Sequence, residues 1–329
     1  MKQIYTLSKI SIVSLLFFAG CKKSDSPPPP SFTNGFNVYM VAESNGSPAY
    51  WKNGALTTFA GSGTAKSLVI SGQDIYIAGQ ITQTIGGKIS VLATVWKNGV
   101  QQNLNSTGFA TANGIGINGN DLYVAGNFID SPYQRAVYWK NGLLVNLAPN
   151  SYGFANDIMF SGSDFYIAGQ LDRNNDSAVI WKNGILQPPY AIGSNTRLVK
   201  VALNGLDLYA AGLFGGQAAF FKNSVVTTLT NVNSGTSAVT FKGNDVYITG
   251  AITDSKGNSN AAYWKNGAIT ILADKYSYAV ANGIAFAGDD IYIIGTIYDN
   301  YKYVAVYWKN GVQQQLSPLG FGYAIAVGN

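Results

Sequence analysis

The sequence predicts an all-β protein, a seven-bladed β-propeller of four-stranded antiparallel blades, and three observations carry the prediction. First, Trp-Lys-Asn-Gly recurs from Trp51, Trp96, Trp139, Trp181, Trp264 and Trp308, and a worn copy, Phe221-Lys-Asn-Ser224, fills the one gap. Successive copies lie 40 to 45 residues apart, the period of stacked or radially arranged units. Second, a run of the form Asp-x-Tyr-x-x-Gly precedes six of the copies, as in Asp121-Leu-Tyr-Val-Ala-Gly126, and Asn37-Val-Tyr-Met-Val-Ala42 is the variant before the first. Third, no stretch shows the 3.6-residue apolar period of a helix. A solenoid is the alternative, but solenoids need distinctive capping repeats, and the repeats here are uniform.

The chain begins with a leader. Lys2 and Lys9 precede an apolar run from Ile10 to Ala19 that is too short to span a bilayer and ends in small residues. Ala19-Gly20-Cys21 resembles a bacterial lipoprotein lipobox, and Cys21 is the single cysteine. The resemblance implies that residues 1–20 are a signal peptide and that Cys21 is the lipidated N-terminus of the mature protein. Lys22 after the cysteine implies the outer membrane rather than the inner one, with the periplasmic or the cell-surface side left open. A diacylglycerol plus an N-acyl chain suffices for stable anchoring. Residues 21–35 then read as a stalk, because Pro27-Pro28-Pro29-Pro30 favours extended polyproline II.

Residues 36–329 hold the repeats, each expected to contribute strands a, b, c and d. Strand a is a short apolar run such as Gly114-Ile-Gly-Ile. A tight glycine-containing turn joins it to strand b, the Asp-x-Tyr run, whose β-branched and aromatic residues favour strands. The six identically placed aspartates read as caps of backbone amides in that turn, not as catalytic groups. Strand c carries Tyr-Trp, Asn-Gly after it is a type I′ hairpin signal, and a short strand d follows, as in Leu143–Leu147. The unit is similar to the HAF-type repeats of bacterial extracellular proteins, a resemblance that covers nearly all of the mature chain and implies structure rather than chemistry. The N-terminal unit lacks strand a and the C-terminal unit has only strand a, Ala324-Ile-Ala-Val-Gly-Asn329. The last strand is therefore expected to complete the first blade and close the ring.

Composition narrows function. The chain has no histidine and no second cysteine, so neither a zinc centre nor a His-based triad is available. Its formal charge of +5 falls to about +2 without the leader and stalk, which is no footprint for nucleic acid. No cofactor and no metal are expected. Asp172, Asn174 and Asp176 have calcium-loop spacing but lack the following glycine and the closing acid, so they read as a solvated loop, as do Asp254, Asn258 and Asn260.

Variable loops on a rigid scaffold carry function, which points to the b–c and d–a connections. Phe109, Tyr152, Phe154, Tyr190, Tyr276, Tyr278, Phe321 and Tyr323 fall there and are the candidate ligand-binding residues. The d–a connections are expected nearest the axis, so that Tyr152, Tyr190, Tyr276, Tyr278 and Tyr323 would ring the central opening. Exposed aromatic faces with few charges suit sugar rings or apolar peptide side chains. The expected function is thus a monomeric, membrane-anchored binding scaffold for carbohydrate or a protein partner. The alternatives are a purely structural or adhesive surface protein, and a propeller glycoside hydrolase or lyase, although nothing in the sequence pairs two carboxylates. Finally, each Trp-Lys-Asn-Gly copy and its worn variant places a lysine on the c–d turn, and these seven (Lys52, Lys97, Lys140, Lys182, Lys222, Lys265 and Lys309) read either as a ring of ammonium groups facing the anchoring membrane or as residues that keep the hairpin tips soluble.

Overall fold

Asn-Gly turns and alternating apolar strands dictate the local structure throughout. A computed structural model describes residues 35–105, 108–130, 133–172, 176–230 and 232–328. The leader, Cys21, the proline stalk and Asn174 lie outside the described residues. Among the described residues the chain forms 29 strands and no helix.

The first strands are β1 (Asn37–Ser44), β2 (Ser47–Lys52) and β3 (Ala55–Thr58). They are followed by β4 (Ser62–Ser71), β5 (Asp74–Ile85), β6 (Lys88–Lys97) and β7 (Val100–Asn103), then by β8 (Phe109–Asn118), β9 (Asp121–Asp130), β10 (Tyr133–Lys140) and β11 (Leu143–Asn146). Next come β12 (Tyr152–Ser161), β13 (Asp164–Asp172), β14 (Asp176–Lys182), β15 (Ile185–Leu186) and the two-residue β16 (Ala191–Ile192). Then β17 (Arg197–Asn204), β18 (Asp207–Phe214), β19 (Gln217–Lys222) and β20 (Val225–Thr228) precede β21 (Ser234–Lys242), β22 (Asp245–Thr253), β23 (Ser259–Lys265) and β24 (Ala268–Ala273). The chain finishes with β25 (Ala279–Ala287), β26 (Asp290–Asp299), β27 (Lys302–Lys309), β28 (Val312–Ser317) and β29 (Gly322–Gly328).

Within each set, four consecutive strands pair antiparallel, and in the set β12–β16 the short β16 adds a fifth by pairing with β14. The first set, with only three strands, is completed by β29, which pairs antiparallel with β1 from Asn37↔Gly328 to Ala42↔Gly322. A single parallel bridge, Val91↔Phe109, joins β4–β7 and β8–β11 into one hydrogen-bonded sheet. The first strands of successive sets lie side by side: β4 packs beside β8, β8 beside β12, β12 beside β17, β17 beside β21 and β21 beside β25. β25 in turn packs beside β29, and β29 beside β4.

The cores lie between sheets. Trp139 of β10 is 1% exposed and packs with Ala93 and Val95 of the preceding set. Trp51, Trp96, Trp181, Trp264 and Trp308 are likewise buried, and Phe221, the worn copy, is completely so. The indole N–H groups of Trp96, Trp139, Trp181 and Trp308 have no hydrogen-bond partner among the described residues. Because an orphaned buried donor costs about 1–3 kcal/mol, a phenyl ring at position 221 forfeits packing area but no polar contact.

The conserved-looking turn residues act together across two turns, which corrects their expected roles. In the c–d turn, Asn141 and Gly142 both have positive φ, 50° and 83°, the type I′ conformation. Asn141 Oδ1 accepts from the Leu122 backbone N–H at 2.8 Å, and its Nδ2 donates to Asp121 Oδ1 at 2.7 Å. Lys140 Nζ lies 2.7 Å from Asp121 Oδ2 and 5.2 Å over the Tyr123 ring. The same brace forms with Asp74, Asp164, Asp207, Asp245 and Asp290. These aspartates therefore tie the a–b turn to the c–d turn instead of capping amides of their own turn. In the first set Asn37 stands in for the aspartate and accepts from Asn53, while Lys52 sits over Tyr39. Of the seven turn lysines, Lys97, Lys140, Lys182, Lys222, Lys265 and Lys309 are each paired with an aspartate of their own sheet.

Hydrogen bonds from Lys140 and then Asn141 hold the Asp121 carboxyl below its ordinary range. A carboxyl whose pKa is lower in the folded chain adds stability above its unfolded value, about 4, that is lost as pH falls through the depressed value. The melting temperature is therefore expected to fall from neutral pH toward about pH 3, and Asp121→Asn to lower it at neutral pH while making the acid decline shallower. An unchanged slope, measured by calorimetry across that range, contradicts the brace.

Candidate functional site

The site originates in one irregularity that every set shares. In β4 the register with β5 steps from Ala65↔Gly79 to Ser67↔Ala78, leaving Lys66 as an extra, unpaired residue. Such a bulge bends the strand and re-aims a side chain. Equivalent steps leave out Asn113, Asn156, Val199, Ser237 and Asn282. The β1–β29 pairing shifts at the matching point and leaves out Tyr323. In every set but the first, the strand-b glycine makes the step possible: a Cβ on Gly79 would sit 1.9 Å from the Thr64 carbonyl oxygen, and one on Gly126 would sit 2.0 Å from that of Thr111 and 2.9 Å from the Trp139 ring.

All seven extra residues line one cavity of about 420 Å³. Three of them pin the neighbouring strand. Asn113 Nδ2 donates to the Ala155 carbonyl at 3.0 Å, Asn156 to that of Leu198 at 2.7 Å and Asn282 to that of Gly322 at 2.6 Å. Lys66 Nζ donates to Asn113 Oδ1 at 3.2 Å, and burial pushes the Lys66 pKa below its usual value. Arg197 and Lys200 also line the cavity. Lys200 Nζ lies 2.6 Å from Oδ1 of the buried Asp157, whose Oδ2 accepts from the Val201 N–H at 3.1 Å.

The aromatic residues divide between this cavity and the rim. Tyr323 lines the cavity, and burial raises the pKa of its phenol. Its ring is 6.4 Å from Phe321, which lies 4.7 Å from Tyr303. Tyr278 meets Tyr303 edge-on at 5.6 Å, and Tyr298 lies 5.0 Å from it. A run of rings thus leads from the half-exposed Tyr278 and Tyr303 inward to Tyr323.

Tyr190 and Tyr276 do not ring the opening. Tyr190 packs against Phe221 and hydrogen-bonds Ser224 of a c–d turn, and the Tyr276 phenol accepts from Gln313 at the start of β28. The reason lies in the path of the d–a connection, which first runs back along strand c, as in the Tyr190 N–H to Ala178 carbonyl bond. Its residues are consequently spread from the outer strands to the axis. Tyr152 is exposed at the start of β12 opposite Asp172, and Phe154 is half-buried opposite Gln170. Phe109 occupies a separate shallow groove with Ile129. In the Asp254 loop the carboxylate accepts from the Lys256 and Asn258 N–H groups, closing the loop on itself. Among the described residues no cluster of acidic, histidine or cysteine side chains is placed to hold a metal.

Sequence reasoning passed over Lys66, Asn113, Asn156, Arg197, Lys200 and Asn282. A signal was present in Ala112-Asn113-Gly-Ile, Ala155-Asn156-Asp-Ile and Ala281-Asn282-Gly-Ile, where a polar residue interrupts an otherwise apolar strand at one fixed place.

Comparison with known proteins gives the fold but no family. No family model matches the chain, and no curated protein matches it by sequence. Among solved structures, the β-propeller domain of the Trilobed protease from Pyrococcus furiosus, which has an open velcro topology, is similar with a TM-score of 0.52 at 13% identity, over 87% of this chain and 93% of that one. TolB from Acinetobacter baumannii is similar with a TM-score of 0.50 at 10% identity, over 88% and 66%. Acylaminoacyl peptidase from Pyrococcus horikoshii is similar with a TM-score of 0.51 at 10% identity, over 86% of this chain and 50% of that one, so this chain spans about half the peptidase's length. At such identities the likeness speaks for architecture alone: the four-stranded sheets form a β-propeller.

Proposed function

We propose that this propeller is a closed ring of seven blades around the inner cavity, and that it serves as a membrane-anchored, extracytoplasmic scaffold that binds carbohydrate at the mouth of that cavity. Closure is supported by the pairing of β29 with β1 and by the contact of β29 with both β25 and β4. The lipobox-like Ala19-Gly20-Cys21 and the HAF-like repeat support anchoring outside the cytoplasm, and Lys22 after the cysteine supports the outer membrane over the inner one.

The observation that carries the binding reading is the run of rings from Tyr278 through Tyr303 and Phe321 to Tyr323. Flat aromatic faces that reach from solvent into a polar cavity suit a sugar chain, which presents apolar ring faces and hydroxyl edges. The residues that line the cavity include no pair of carboxylates, the arrangement that glycoside hydrolysis uses, which favours a binding reading.

Closure is tested by deleting Gly322–Asn329. The expected outcome is aggregation, because β1 then presents an unpaired edge; a truncated protein that stays monomeric with unchanged melting contradicts the ring. Binding is tested by probing a glycan array with the protein and its variants. Tyr323→Ala and Tyr303→Ala are expected to weaken the bound glycan by roughly tenfold or more, about 1.4 kcal/mol. Tyr190→Ala and Tyr276→Ala are expected to lower stability without changing binding. A protein that binds no glycan on a broad array overturns the carbohydrate reading.

A further inference from the structure

The charges on the cavity wall do not balance. Lys200 is paired with Asp157. Lys66 and Arg197 have no carboxylate partner among the described residues, and Lys66 donates only to the neutral amide of Asn113. A partly buried ammonium without a counter-charge is costly unless an anion arrives to pair with it. Lys66 is on β4 and Arg197 on β17, with β8 and β12 between them in one direction and β21, β25 and β29 in the other. The half-buried Lys66 and the exposed Arg197 therefore line the cavity from different sides of its wall.

The remaining wall groups narrow the occupant. Asn156 and Asn282 each give one Nδ2 hydrogen to the neighbouring strand, and their Oδ1 acceptors have no partner among the described residues. Acceptors of this kind suit hydroxyl groups. Tyr323 adds an aromatic face to the same cavity. Counter-charge for an anion, acceptors for hydroxyls and a ring for stacking are the three needs of a carboxylated sugar.

We propose that the inner cavity binds a uronate unit of an acidic polysaccharide, with Lys66 and Arg197 supplying the counter-charge, Asn156 and Asn282 accepting from hydroxyls and Tyr323 against the sugar ring. The inference rests on the carbohydrate reading and adds the class of sugar. Burial holds the Lys66 pKa down, and a neighbouring carboxylate favours its charged form.

The test is an array of uronate-containing oligosaccharides, each printed beside its carboxyl-reduced, neutral counterpart. The protein is expected to prefer one or more acidic members over their counterparts by roughly tenfold, the scale of a charge-assisted hydrogen bond. Lys66→Gln and Arg197→Gln are expected to erase the preference with unchanged melting, and Lys66→Arg to retain it. Equal binding of acidic and neutral members overturns the uronate assignment while the carbohydrate reading stands. A preference that survives both glutamine variants also overturns it. Binding to neither kind removes the carbohydrate reading, and this inference with it.

Discussion

The structure depends on one close approach of backbone to backbone. In the middle of strand b a glycine lets the carbonyl of strand a come so near that a Cβ at Gly169 would sit 2.0 Å from the Phe154 oxygen. The tryptophan of strand c closes in on the same space, with Trp181 Cζ3 2.8 Å from that Cβ position. The absence of one side chain thus lets both the indole and the carbonyl of strand a approach. The bulge then turns one residue per set into the inner cavity, where Asn113, Asn156 and Asn282 pin the next strand and Lys66 and Tyr323 face the space between. Core packing and the wall of the candidate site are thus two consequences of one contact. The first set shows the rule by varying it: Ala42 stands where the glycine is expected, and the residue opposite is Gly322.

A second repeated device fixes the far end of each sheet. Asp, Lys, Asn and Tyr from two turns form a small network in which the asparagine holds a backbone N–H and the aspartate while the lysine covers the tyrosine ring. These side chains are half-exposed, so each pair alone adds little to stability. Their effect is to set the relative position of the a–b and c–d turns, and with it the strand register that delivers the glycine opposite the bulge. On the face that carries these braces six of the seven lysines are paired with aspartates, whereas the cavity wall retains positive charge in Lys66 and Arg197.

Much of this was legible in the sequence where the signal is local. Asn-Gly turns, the Asp-x-Tyr strands, the buried tryptophans and the pairing of the last strand with the first all follow from short motifs and from units truncated in complementary places. The bulges were not legible in the same way. One extra residue in a strand leaves the apolar alternation nearly intact, and its effect depends on a glycine in the neighbouring strand. The aspartate's partner was missed for a related reason, since it lies 15 to 24 residues away across a second turn. The aromatic residues of the d–a connections were placed on the right segments, but those segments run outward along strand c before turning in. Tyr323 and Phe321 reach the cavity side, whereas Tyr190 and Tyr276 end on the outer cores.

Because the glycine contact underlies both the core and the cavity, it is the point at which the account is most exposed. Chemical denaturation of Gly126→Ala measures it directly, with Gly235→Ala as the control, since a Cβ at Gly235 meets nothing closer than Leu213 Cδ2 at 3.9 Å. The predicted result is a loss of about 1–3 kcal/mol or more for Gly126→Ala, the scale of forced overpacking, and little change for Gly235→Ala. If Gly126→Ala is as stable as the parent protein, strand a does not depend on that approach and the origin assigned to the cavity wall is wrong.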